Sequence, residues 1–137
     1  MKKLCSIFVL CMLLFGCGAH EPKEPLPKGA HLTLTATPRQ GFAPLRVSFH
    51  VVLENVPEND KSFYCLKEEW DFGDGAVSAE QPQCAPYGPD TKVNTEYFVE
   101  HVYENLGSYD VFFTLGDKKI RSNKIQINAL ENRVPSS

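Results

Sequence analysis

Between residues 32 and 129 apolar and polar side chains alternate with period two, one short segment after another. Successive side chains of a strand point to opposite faces, so this alternation predicts half-buried β-strands. Leu32-Thr33-Leu34-Thr35-Ala36-Thr37 is the first such segment, ended by Pro38-Arg39-Gln40-Gly41. The second, Leu45 to Val51, is predicted to turn Leu45, Val47, Phe49 and Val51 inward and Arg46, Ser48 and His50 outward. After the turn cluster Pro57-Glu58-Asn59-Asp60 a third strand is expected from Phe63 to Phe72, and a short one from Ala76 to Ala79. Gln81 to Asn94 carries Pro82, Pro86 and Pro89 and predicts a long irregular loop. Alternation resumes from Tyr97 to Tyr103, then through Tyr109, Val111, Phe113 and Leu115. Gly116-Asp117 forms a turn, and a last strand runs from Ser122 to Ala129. No helical period of useful length appears. About seven short strands with turn signals between them predict an all-β sandwich.

Two segments add detail. In Trp70-Asp71-Phe72-Gly73-Asp74-Gly75, a strand with Trp70 and Phe72 on one face runs into a tight turn. The glycines there permit positive φ, and the aspartates can accept turn N–H groups. About thirty residues on, Tyr103-Glu104-Asn105-Leu106-Gly107-Ser108-Tyr109-Asp110-Val111 repeats the order of aromatic, turn glycine and alternating strand. Together with Ala36-Thr37-Pro38, Gly41, Ala43-Pro44-Leu45, Val47 and Phe49, and with His101 two residues before Tyr103, these segments resemble the PKD domain (polycystic kidney disease repeat). The resemblance covers about residues 32–129. It implies an immunoglobulin-like β-sandwich, placed here at residues 31–130, with Trp70 as central core aromatic and His101 as a structural histidine. It implies adhesion, spacing or ligand recognition outside the membrane, and no catalysis. The chain departs from the family pattern at Phe112, where a small or polar residue is common, and in the length of the loop around Cys84.

The first residues form no part of that sandwich. Lys2 and Lys3, the apolar run Ile7 to Phe15 and Gly16-Cys17-Gly18 describe a secretory signal peptide over residues 1–16. The run is shorter than the roughly 20 apolar residues of a membrane-spanning helix. Leu14-Phe15-Gly16-Cys17 resembles the bacterial lipobox, which implies cleavage before Cys17 and a covalent lipid on its thiol. Three acyl chains follow from that resemblance, and several chains hold a membrane firmly where one does not. Gly18, rather than Asp, favours export to the outer membrane. Residues 17–30 then read as an extended linker. Its segment Glu21 to Lys28 holds three prolines among charges, and from residue 18 to about 30 the linker reaches on the order of 40 Å. Residues 131–137 read as a flexible tail.

Without Lys2 and Lys3, 12 basic groups face 17 acidic ones from Cys17 onward, a formal charge of −5. Nucleic acid and anionic headgroups select basic surfaces, so neither is expected as a direct partner. Of five cysteines, Cys5 and Cys11 leave with the signal peptide and Cys17 takes lipid. Cys65 and Cys84 remain as a pair in an oxidising compartment, the composition of a disulfide. Its loop of about 20 residues would be worth roughly 3 kcal/mol. Two free, buried thiols are the alternative. Zinc needs more ligands than two cysteines supply.

Candidate chemistry is sparse. Asp71 and Asp74 offer two carboxylates to a calcium ion that wants six to eight oxygens; the competing reading is a turn whose carboxylates accept backbone N–H groups. His20, His31, His50 and His101 are scattered, and no nucleophile, metalloprotease or phosphate-loop motif occurs. Glu68 and Glu69 point to opposite strand faces. No catalytic residue and no cofactor beyond the Cys17 lipid are expected. Phe112 and Phe98 fall on outward positions, and with Tyr87 from the long loop they compose a candidate partner-contact patch. The leading expectation is an accessory lipoprotein of the cell envelope that contacts another envelope protein. Carbohydrate or peptidoglycan binding is the second reading, and an enzyme the third.

Overall fold

The computed structural model describes residues 28–117 and 120–133. The signal peptide, Cys17 and most of the linker and tail expectations lie outside them. Among these described residues nine strands form two sheets: β1 (His31–Thr37), β2 (Gln40–Phe42), β3 (Leu45–Glu54), β4 (Glu68–Asp71), β5 (Val77–Glu80), β6 (Glu96–Tyr103), β7 (Gly107–Leu115), β8 (Ile120–Arg121) and β9 (Ile125–Leu130). The first sheet has the order β1-β3-β6. The second runs β2-β9-β7-β4-β5, with β8 also on β7. All pairings are antiparallel except β2 with β9. Among the described residues no helix is long and apolar enough to cross a membrane.

The alternation of β3 sets the core. Leu45, Val47, Phe49, Val51 and Leu53 are buried and the residues between them are not. From the facing sheet come Trp70, Val111, Phe113, Leu115, Ile125 and Ile127. Trp70 lies at the centre of the aromatic set, its ring 4.5 Å from Phe113 and 6.3 Å from Phe49. Offset aromatic pairs at such spacings add to the burial of apolar area.

Four expectations need correction. The third strand does not start at Phe63. Asp60 accepts the Ser62 N–H at 2.9 Å and caps a 3-10 turn at Lys61–Phe63, and Cys65 takes φ +54°, so strand pairing begins only at Glu68. Phe63 is buried all the same, filling the core from that turn. The last strand is split. Ser122 still pairs with Phe113 through its backbone N–H and its hydroxyl, but Asn123 then turns away to β1. Its side-chain amide accepts the Leu34 N–H at 2.7 Å and donates to the Leu34 carbonyl at 3.1 Å. A side chain thus fills the place of a neighbouring strand on the outer edge of β1 and ties the sheets together. Pro38 to Gly41 does not merely end β1, because Gln40 already begins β2. The described residues therefore hold nine strands rather than about seven, the two additional short strands being β2 and β8.

The strand directions define two ends. His31 faces Glu54 where the described chain enters the sandwich, and Leu45 faces Tyr103 at the other end of β3. Ten residues of strand separate these ends by about 30 Å.

Candidate functional site

At the far end, away from the entry of the chain, the segment Asp71 to Ala76 closes on itself. Asp71 Oδ1 accepts the Gly73 N–H and Asp74 Oδ1 accepts the Ala76 N–H, both at 3.0 Å. The Phe72 N–H donates to the Ala76 carbonyl at 3.2 Å. Gly73 has φ +78°, and a Cβ there would stand 2.5 Å from the Asp110 carbonyl oxygen, so the turn backbone lies directly against β7. Gly75 has φ +93° with open space around it. The two glycines are therefore required for different reasons, Gly73 for conformation and close approach and Gly75 for conformation alone.

The turn is fixed to β6. Asp74 Oδ2 meets His101 Nε2 at 2.7 Å, the two side chains being only 21% and 18% exposed, and the imidazole stacks on Phe72 at 4.1 Å. Burial pushes the Asp74 carboxyl up, but the His101 hydrogen bond, the Ala76 N–H and the imidazole charge outweigh it and hold it below the usual carboxylate range. Tyr103, fully buried, donates its hydroxyl to the Phe72 carbonyl at 3.0 Å. Its phenol is pushed well up by burial and by the nearby Asp74. Tyr109 stacks on Tyr103 at 4.5 Å and donates to the Asn105 carbonyl at 2.8 Å, closing the turn that contains Gly107. Val111 is buried in the core beyond it. Asp71 and Asp74 thus spend an oxygen each on backbone N–H groups, the arrangement of a structural turn. Among the described residues no three His, Cys, Asp or Glu side chains are grouped as metal ligands.

The three aromatic residues expected to share a patch do not. Phe98 is 67% exposed on β6 in the first sheet, its ring stacked on His50 at 4.3 Å. Phe112 lies on β7 in the second sheet, half-buried beneath the Arg121 guanidinium at 3.7 Å. Tyr87 is half-buried in the long loop, where its ring meets Tyr64 edge-on at 5.3 Å and its hydroxyl donates to the Asn59 carbonyl. Outward parity marks which strand face a residue occupies, but it does not show which outward faces are neighbours or what lies over them.

A different apolar row stands at the far end. Phe42, 58% exposed on β2, faces Leu130, 40% exposed on β9. Leu106, 55% exposed, precedes Gly107, whose partner on β9 is Ala129. Phe42 and Leu130 therefore stand at one level on adjacent strands, and Leu106 lies in the turn just before the third. Phe42 gave no signal in the sequence because it follows the turn cluster Pro38 to Gly41, and Leu130 because it lies just past the last expected strand, Ser122 to Ala129.

The near end is held differently. Cys65 and Cys84 form a disulfide with Cα atoms 5.9 Å apart. Side-chain contacts hold the loop around it: Tyr64 donates to the Ala85 carbonyl at 2.6 Å, and Gln81 donates to the Cys65 carbonyl at 3.1 Å. Val93 is buried beyond them and donates its N–H to the Glu58 carbonyl at 2.7 Å.

Comparison with family models matches residues 31–126, well over half of the chain, to the PKD domain. Among solved structures, a similar one is the PKD domain of an M14-like peptidase from a Thermoplasmatales archaeon. It is 13% identical, with a TM-score of 0.49, covering 74% of this chain and 94% of that one. Comparison with curated proteins returns no match.

Proposed function

The chain belongs to the PKD domain family, and from that premise we propose that it is a lipid-anchored envelope protein whose sandwich binds a protein partner at the end far from its anchor. PKD domains are non-catalytic modules of protein or carbohydrate interaction. The finer reading adds an acyl anchor on Cys17 in the outer membrane, a proline-rich spacer and a presented surface. The observation that carries it is the row Phe42, Leu106 and Leu130. Exposed apolar side chains grouped at one end, here on two paired strands and the turn before a third, mark interaction sites, whereas single ones do not. Their position supports the same reading, because the described chain enters the sandwich about 30 Å away at the opposite end of β3.

The carbohydrate reading receives less support. A glycan face calls for planar aromatics in a row, whereas Phe98 stands on one sheet and Phe112 lies under Arg121 on the other.

The test is crosslinking of the full-length lipoprotein in its own membranes, followed by capture and mass spectrometry. One protein captured by the wild type, lost from Phe42→Ser and Leu106→Ser and kept by Phe98→Ser, supports the reading. Capture of peptidoglycan or polysaccharide alone overturns it in favour of glycan binding. Cys17→Ser is expected to abolish acyl labelling and release the protein from membranes. Retention of the label by that variant contradicts the anchor.

A further inference from the structure

The near end holds a cleft of about 130 Å³ lined by Tyr64, Leu66, Glu68, Tyr97 and the Cys65–Cys84 disulfide. Sites that enclose drug-sized ligands run to roughly 300–1,000 Å³, so this one has the size of a single side chain. Its walls are mostly apolar, and it contains one carboxylate, that of Glu68.

That carboxylate has no hydrogen bond or ion pair among the described residues, and three described lysines of this end are engaged elsewhere. Lys92 lines the same cleft but places its ammonium 3.1 Å from Glu58. Lys67, next to Glu68 in sequence, goes to Glu69 at 3.7 Å and Asp117 at 3.8 Å. Lys61 lies over the Tyr87 ring at 5.8 Å. The cross-strand partner of Glu68 is Glu80, a like charge. Burial and that neighbour push the Glu68 carboxyl up, and Glu68 in turn helps burial to raise the Tyr97 phenol. A partly desolvated carboxylate beside a like charge costs folding free energy, and such a group in a cleft is a candidate functional group.

We infer that this cleft receives one basic side chain, a lysine or arginine of a protein partner. The alkyl stem would lie along Tyr64, Leu66 and the disulfide, with the cation against Glu68 and Glu80. Long basic side chains bury their stems on apolar surface while the head meets a carboxylate, and this pocket offers both in that order. The inference rests on the protein-partner reading but uses the opposite end of the sandwich, so the two fail separately.

The test uses the full-length, ¹⁵N-labelled chain in detergent, titrated with acetylated, amidated Gly-X-Gly peptides in which X is Lys, Arg, norleucine or Glu. The Lys and Arg peptides are expected to shift the amide signals of Glu68, Asn94 and Tyr97 saturably, with norleucine weaker and Glu inactive. Glu68→Gln is expected to weaken Lys binding about tenfold while raising the melting temperature at neutral pH, and Glu69→Gln to leave binding unchanged. Equal binding of norleucine and Lys, or Lys binding that survives Glu68→Gln, overturns the inference. So does a lower melting temperature for Glu68→Gln, since it would make Glu68 a structural group. Loss of partner capture in Phe42→Ser with Lys-peptide binding intact separates this site from the apolar row.

Discussion

At the end where the described chain enters the sandwich, Glu68 stands beside Glu80 with no cation on it among the described residues, in a cleft roofed by a disulfide. At the other end Asp74 is held by a histidine and a backbone N–H. Both carboxylates are partly withdrawn from water, yet one is pushed up and the other held down. The difference is one of partners rather than of burial alone. The far end is a closed hydrogen-bonded unit of residues near in sequence, anchored on β6 and β7. The near end is irregular chain held by one covalent bond and scattered contacts.

Gly73→Ala should break the far end most severely. It adds a methyl 2.5 Å from the Asp110 carbonyl oxygen at φ +78°, and a loss of about 4 kcal/mol is expected in denaturant unfolding. The near end should respond most to the Cys65→Ala, Cys84→Ala pair, at about 3 kcal/mol, as the unfolded chain regains the freedom of the closed loop. If that loss leaves far-end amide exchange unchanged, the two ends are energetically separate.

Asp74→Asn should cost about 1–2 kcal/mol at neutral pH, because it disturbs a charge-assisted bond in a shielded place. The sign with pH follows from the depressed folded value. The contribution of Asp74 is complete above the ordinary carboxylate range and is lost as pH falls below about 4, and the Asn variant should lack that component. Glu68 runs the other way. Its raised folded value favours the protonated protein, so its contribution is complete below the ordinary carboxylate range and fades as pH rises through the raised value. Unfolding measured against pH for the two variants should therefore diverge in opposite directions. Gly75→Ala should be mildest, at about 1 kcal/mol, since only its φ of +93° resists a side chain.

The same division explains what could be read from the chain alone. Trp70, Phe72, Tyr103 and Tyr109 announced the sandwich because strand parity and turn chemistry are local, and Asp71, Gly73, Asp74 and Gly75 announced the turn for the same reason. The Cys65–Cys84 bond followed from the compartment expected for a chain with a signal-peptide pattern and from an even count. The Asn123 bridge to Leu34 joins residues 89 positions apart and leaves no local pattern. That Glu68 has no partner among the described residues was equally hidden, being defined by where Lys61, Lys67 and Lys92 go instead. Phe112 was misjudged because its cover, Arg121, comes from another strand, and Phe42 because a three-residue parallel strand has no periodicity of its own.

The central claim is that the far end is the partner face. The most direct measurement places a photo-crosslinking amino acid at position 42 in one strain and at position 98 in another, in the full-length protein in living cells. The expected result is a single protein adduct from position 42 and none from position 98. An adduct from position 98 with none from position 42 would contradict the claim and move the partner to the outer face of the other sheet.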